Sequence, residues 1–269
     1  MGGLRLLAIG GSRTRYGHSR VLGQCLMLQT NDLESIAVDS HLNDFVMVVR
    51  PSGPPVQVVP VNSSGLVPHP IAISDPNIIQ YVSLAVDDED NLLIAGYDTR
   101  GAVIIDTLGT GRSITSPALL RSLTGSKTGL LPATGGFARN DMTIALDPVT
   151  NELFVYNATT DLTHIQVSVF AAKASGDVAP VRTISGPATG ITGPGFEAGT
   201  NKIAISADGR LFVSEPNGRI LVFAPGATGN VAPSQVIEDS TPVPAAQGGI
   251  AVRSCHCQHD DREKADDGL

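Results

Sequence analysis

Residues 203–213 read Ile203-Ala204-Ile205-Ser206-Ala207-Asp208-Gly209-Arg210-Leu211-Phe212-Val213. Two short apolar runs flank a polar turn containing Asp-Gly, the pattern of a β-hairpin. The first run recurs along the chain as Ile36-Ala37-Val38-Asp39, Leu84-Ala85-Val86-Asp87, Ile144-Ala145-Leu146-Asp147 and Ile250-Ala251-Val252-Arg253. Successive copies lie about 47–60 residues apart, the length of one four-stranded propeller blade. The second run recurs as Phe45–Val49, Leu92–Ala95 and Leu153–Val155. A third strand follows, as in Val167–Phe170 and Ile220–Phe223, then a loop and a fourth strand ending at Ile184 or Ile237. The loops 171–184 and 224–237 are near copies, with Gly176-Asp177-Val178-Ala179-Pro180 matching Gly229-Asn230-Val231-Ala232-Pro233. The alanine at each signature centre lets converging inner strands approach, while flanking Ile, Val and Leu pack between blades.

The expected fold is therefore all-β: a five-bladed β-propeller. The fifth signature starts at Ile250, too near the C-terminus for a whole blade. Residues 6–22 align with 221–237 at a constant offset of 215, so that Leu7 falls on Val222 and Leu22 on Ile237. The last blade is thus expected to be closed jointly by N-terminal and C-terminal strands, which removes exposed sheet edges. An open solenoid would leave its terminal apolar faces uncapped and is the weaker alternative. Residues 1–269 read as one domain, with blades starting near 36, 84, 144, 203 and 250. Residues 1–35 complete the fifth blade, and 258–269 form a flexible, charged tail.

Composition agrees with many short strands and turns. The chain is 42% hydrophobic and 16% charged, with 29 glycines, 18 prolines and no tryptophan. Its net charge of −8 disfavours nucleic acid and anionic membranes as partners. No apolar run approaches the ~20 residues of a membrane span. Arg5, Arg13, Arg15 and Arg20 interrupt any signal-peptide core, so the chain as it stands reads as cytoplasmic, with secretion open to a form that has lost a leader. Three cysteines, two of them one residue apart, are not a disulfide framework. A closed ring needs no partner for stability, so a monomer is expected.

The Ile-Ala-Val-Asp copies, Asp208–Val213 and Phe223–Pro233 resemble the NHL-type and 6-phosphogluconolactonase-like β-propellers, through nearly the whole chain to Val252. The fourth and fifth signatures depart from that pattern, with Ser206 and Arg253 where aspartate is expected. The resemblance implies a lactone hydrolase, several such proteins being calcium-dependent, or a ligand- or protein-binding scaffold.

Enzyme motifs are sparse. Gly17-His18-Ser19-Arg20-Val21 fails as a nucleophile elbow, and Gly125–Gly129 lacks phosphate-loop spacing. Asp87-Asp88-Glu89-Asp90-Asn91 carries oxygen ligands at alternate positions but lacks the glycine and final glutamate of a calcium loop, so it reads as a hairpin turn. Asn62-Ser63-Ser64 and Asn157-Ala158-Thr159 match glycosylation sequons and read as loops. Cys255, His256, Cys257 and His259 suit zinc or copper in type, but neighbours on a strand point to opposite faces. The better site is geometric. Segments entering inner strands (Asn31, Asp32, Glu34; Asn77, Tyr81; Asn140, Asp141; Glu197, Asn201) share one mouth with the loops after second strands (Tyr97, Asp98, Arg100; Asn157, Asp161, His164; Glu215, Asn217). The expected metal ring is Glu34, Asp141, Asn157, Asn201 and Glu215, with calcium as the hard cation. Asp141, Glu34 or His164 would then act as base on a lactone whose carbonyl the ion polarises. Sugar lactones, or acyl-homoserine lactones as in quorum quenching, are the substrate class that the resemblance implies.

Overall fold

The computed structural model describes residues 6–7, 17–21, 24–28, 33–48, 56–59, 71–132, 142–159, 163–192, 203–215, 218–238 and 250. The strands are β1 (Leu6–Leu7), β2 (Gly17–Val21), β3 (Gln24–Leu28), β4 (Leu33–Val38), β5 (Asp44–Val48), β6 (Val56–Val59), β7 (Ile71–Ile73), β8 (Gln80–Val86), β9 (Leu92–Tyr97), β10 (Val103–Leu108), β11 (Leu119–Thr124), β12 (Met142–Leu146), β13 (Leu153–Ala158), β14 (Ile165–Phe170), β15 (Arg182–Ser185), β16 (Ile203–Ile205), β17 (Leu211–Ser214), β18 (Ile220–Phe223) and β19 (Gln235–Ile237). Each quartet β4–β7, β8–β11, β12–β15 and β16–β19 is an antiparallel meander. The inner strands β4, β8, β12 and β16 are neighbours in turn, which is the arrangement of a β-propeller. No described helix is long and apolar enough to cross a membrane.

Four blades are described, where the repeat predicts five. β1, β2 and β3 form a separate three-stranded sheet. The expected pairing of residues 6–7 with 19–21 occurs, but Leu6 faces Arg20, one residue off the register that the 215-residue offset requires. β3 adds beyond β2, and no inner strand pairs with β1 among the described residues. That strand was expected from residues 250–253, of which only Ile250 is described, outside any strand. The tail and the Cys255–His259 group lie outside the described residues.

Both faces of an interior blade meet another blade, so alternate residues of one strand enter different cores. Leu84 faces the first blade, in a cluster with Ala37, Phe45, Met47 and Ile94. Ile144 packs with Leu93, Ala95 and Leu123 of the second blade, while Ile203 packs with Phe154, Tyr156 and Val167 of the third. The signature alanines turn the other way: Ala37 and Ala145 lie in the cluster shared with the following blade. Each interface thus sets small against large where the sheets converge.

Polar groups repeat as regularly. Ser35 Oγ accepts the Leu84 N–H at 3.0 Å, and Ser83 Oγ accepts the Ile144 N–H at 3.1 Å. A hydroxyl just before the signature therefore laces one inner strand to the next. The signature aspartate closes the hairpin turn: Asp39 Oδ1 accepts from Asn43 N, Asp87 Oδ1 from Glu89 N and Asn91 N, and Asp147 Oδ1 from Val149 N and Thr150 N. Ser206 Oγ replaces it in the fourth blade by accepting the Arg210 N–H.

The two near-copy loops are clasps between blades. The Gly176 N–H donates to Ser122 C=O at 2.7 Å and the Gly229 N–H to Thr183 C=O at 2.6 Å, each on the outer strand of the preceding blade. Both glycines have φ near +70° (75° and 72°), which a side chain would strain. The next residue anchors the preceding blade's exit: Asp177 Oδ1 accepts Lys127 N and Asn230 Oδ1 accepts Ala188 N.

Candidate functional site

In an antiparallel meander, inner strands start, and second strands end, at the same rim. Among the described residues, parts of three connectors lie at that mouth, and each meets the upper end of the following blade's second strand. The residues there occupy one position in three blades: Gly96, Asn157 and Glu215. Each meets its connector differently. A Cβ on Gly96 would lie 2.2 Å from Gln80 O and 2.5 Å from Ile78 Cγ2, so the absent side chain is what admits the connector. Asn157 Oδ1 accepts the Leu131 N–H at 2.5 Å. Glu215 Oε2 accepts the Thr192 N–H at 3.0 Å and a short bond from the Thr192 hydroxyl.

Asn157 and Glu215 are 0% and 4% exposed. Burial pushes the Glu215 carboxyl above the usual range, with the Thr192 bonds and Arg219 opposing the shift. Asn157 Nδ2 and Glu215 Oε1 are buried and have no hydrogen-bond partner among the described residues. Asn157 lies within β13 and Tyr97 within β9, both buried, rather than in loops. β9 and β13 run two and three residues past the expected ends at Ala95 and Val155, and the buried sequon asparagine is inaccessible to a sugar.

The side chains of the other expected ring members lie outside what the structure describes. Glu34 lies in β4, and its side chain is outside what is described; Asp141 and Asn201 lie wholly outside the described residues. His164 is exposed at the β13–β14 turn, where its Nδ1 sits 2.8 Å from Thr163 Oγ1 and its backbone pairs with Thr159. Among the described residues no three His, Cys, Asp or Glu side chains form a group able to hold a metal. Glu215 Oε1 is the one described ring atom open to a cation, since the open atom of Asn157 is an N–H donor. That oxygen would be one of the about 6–8 that calcium takes, and the side chains of Glu34, Asp141 and Asn201 lie outside those described.

The acidic stretch 87–91 is a hairpin turn with engaged carboxylates. Asp90 holds Ser40 N at 2.7 Å, Ser40 Oγ at 2.6 Å and His41 Nδ1 at 3.2 Å; Glu89 meets Lys173 at 2.5 Å; Asp87 meets Arg121 at 3.0 Å.

A second buried polar group was not anticipated. Asp75 and Asp106 are 4% and 0% exposed. Asn77 joins them, its N–H donating to Asp75 Oδ1 at 2.8 Å and its Nδ2 to Asp106 Oδ2 at 3.0 Å. The Tyr81 hydroxyl donates to Asp75 C=O at 2.9 Å and accepts the Asp75 N–H. The available signal was Asp106 itself, a charge in the middle of the apolar strand Val103–Leu108.

No protein-family model and no curated protein matches the chain. Solved structures do. A Lactobacillus plantarum protein overlaps with a TM-score of 0.51 at 13% identity, over 88% of this chain and 67% of that one. Apo AztD from Citrobacter koseri gives 0.42 at 13% identity over 91% of this chain, which spans 64% of AztD. Hsv2 from Kluyvelomyces marxianus gives 0.41 at 12% identity, over 84% of this chain and 75% of that one. At such identity the Lactobacillus likeness speaks to architecture alone, and the architecture of this chain is that of a β-propeller.

Proposed function

We propose that this chain is a closed five-bladed propeller that serves as a non-catalytic scaffold, binding a ligand or protein at the connector mouth. The carrying observation is what the mouth's buried polar side chains do. Asn157 Oδ1 and Glu215 Oε2 each hold a connector's backbone N–H, so they shape the loops that present the mouth rather than converge on a reacting atom. The test is a panel of sugar and acyl-homoserine lactones, each with calcium and with excess chelator. Turnover of any of them would overturn the scaffold reading.

Closure by the chain's own ends has support in the clasps. Ile73, Leu123, Ile184 and Ile237 are equivalent outer-strand residues. The first three are 2%, 2% and 1% exposed, beneath the following blade's loop; Ile237 is 41% exposed. The loop that would cover it is 8–16, between β1 and β2. A Thr14→Cys/Ile237→Cys pair, in a background with Cys25, Cys255 and Cys257 changed to serine, should form an intramolecular disulfide under mild oxidation. A purely intermolecular product would reject closure.

A second reading is calcium-assisted lactone hydrolysis, with Glu34, Asp141, Asn157, Asn201 and Glu215 around the ion and Asp141, Glu34 or His164 as base. Glu215 favours it: a buried carboxyl whose Oε1 is unpartnered and whose acidity is weakened by burial. Turnover lost in chelator and restored by added calcium would establish this reading.

A further inference from the structure

The connector from the first blade to the second runs from Ile73 to Gln80 and borders the mouth. Three contacts beneath it are neutral: Ile78 is buried in the core between the two blades, the Ile79 N–H donates to Tyr97 C=O at 2.9 Å, and the Tyr81 hydroxyl binds the Asp75 backbone. The fourth is a carboxyl pair. Asp106 projects from β10 onto the side that faces the first blade, level with Ile104 and Leu108. Its Oδ2 accepts from Asn77, whereas Oδ1 is buried with no donor. An ionised carboxylate oxygen in an apolar interface without a donor is costly. Asp75 stands beside it, with Oδ1 already accepting the Asn77 N–H, so that one asparagine bridges the two buried carboxyl groups. Two carboxylates can bond directly only through a proton.

We propose that Asp75 and Asp106 share a single proton, and that this proton is a latch holding the mouth's first connector against the second blade. Asp75 donates it, and Asp106 Oδ1 is its acceptor. Losing the proton leaves two buried anions in contact and releases the connector. Burial first, and the Asp106 charge in addition, lift the Asp75 pKa from 3.8 to about 6, with the Asn77 N–H opposing. Tyr81 is the other titratable group facing the pair, and burial lifts its pKa too, so it stays neutral. The core around the pair is apolar: Val56, Val58, Ile73, Ile94 and Ile104.

A carboxyl that binds its proton more tightly when folded contributes most at acid pH and loses that contribution as pH rises toward its folded pKa. Asn at either position supplies a permanent N–H donor in place of the shared proton. The test is equilibrium unfolding of the full chain from pH 4 to pH 8 for wild type, Asp75→Asn and Asp106→Asn. The unfolding constant of wild type, relative to Asp75→Asn, should climb about thirtyfold between pH 4 and pH 6 and level at about sixtyfold by pH 8, with a smaller climb relative to Asp106→Asn, where burial still lifts Asp75. A ratio that stays flat across this range would overturn the latch. Should neither variant fold, the carboxyl carbon resonances of wild type decide the matter: one titration near pH 6 within the pair is expected, and two titrations below pH 4.5 would overturn it. Hydrogen exchange at Ile79, corrected for its intrinsic pH dependence, should speed up above pH 6, and unchanged protection would remove the connector from the mechanism.

Discussion

Gly96→Ala tests the claim that one structural position manages each connector. The new Cβ would lie 2.2 Å from the Gln80 carbonyl oxygen and 2.5 Å from Ile78 Cγ2. Ordinary contact needs well over 3 Å, so something must move by about 1 Å. Neither neighbour has room. Gln80 O is backbone at the start of β8, Ile78 is 4% exposed, and the Ile79 N–H is tied to Tyr97 C=O. Replacing glycine gains ~0.4–1 kcal/mol from a less flexible unfolded chain. Forced displacement in a packed interior costs ~1–3 kcal/mol or more. The expected net loss is about 1–2 kcal/mol, read as a lower urea midpoint at unchanged slope. Asn157 and Glu215 stand at the same position with full side chains, so a substitution matrix would not anticipate this loss. A variant as stable as wild type would refute the account of the position.

Ser83→Ala should cost ~1–3 kcal/mol in the same assay, because the buried Ile144 N–H loses its acceptor on the neighbouring inner strand; a loss below about 0.5 kcal/mol would mean the hydroxyl lacing is incidental. Leu93→Phe should stabilise by ~0.5–1 kcal/mol. Leu93 takes the place of Phe45, Phe154 and Phe212 in the other blades and lines a cleft beside Arg121, while in the third blade Arg182 sits 6.0 Å over the Phe154 ring. A lower melting temperature would show that the cleft has closed around leucine. Glu215→Gln should gain on wild type as pH rises, since the raised carboxyl pKa makes ionisation the unfavourable step and glutamine cannot ionise; a gap that widens toward acid pH would contradict the sign.

Much of the site's framework was legible because it repeats. The signature aspartates, the Gly-Asp and Gly-Asn loops and the paired apolar runs each sit at a fixed place in a blade, and their contacts are local or lie one blade away. Asn157 and Glu215 were identifiable as mouth residues from position alone. Their orientation was not: both turn toward the connector of the preceding blade, because residues alternate along a strand and that face is the interface. Asn77 reads as a mouth residue from the sequence and its neighbour Asp75 does not, since an aspartate before proline in a connector looks solvated until β10 is placed beneath it.

Read alone, the chain determines strands, turns and blade period, because these depend on alternation and turn chemistry within a few residues. It also determines the clasp loops, through their duplicated glycines. Tertiary structure alone decides which carboxyls lose water, which amide meets which carbonyl, and where a side chain must be absent. Those outcomes depend on how closely one blade approaches the next, a distance set by the combined shapes of two sheets and written in neither segment by itself.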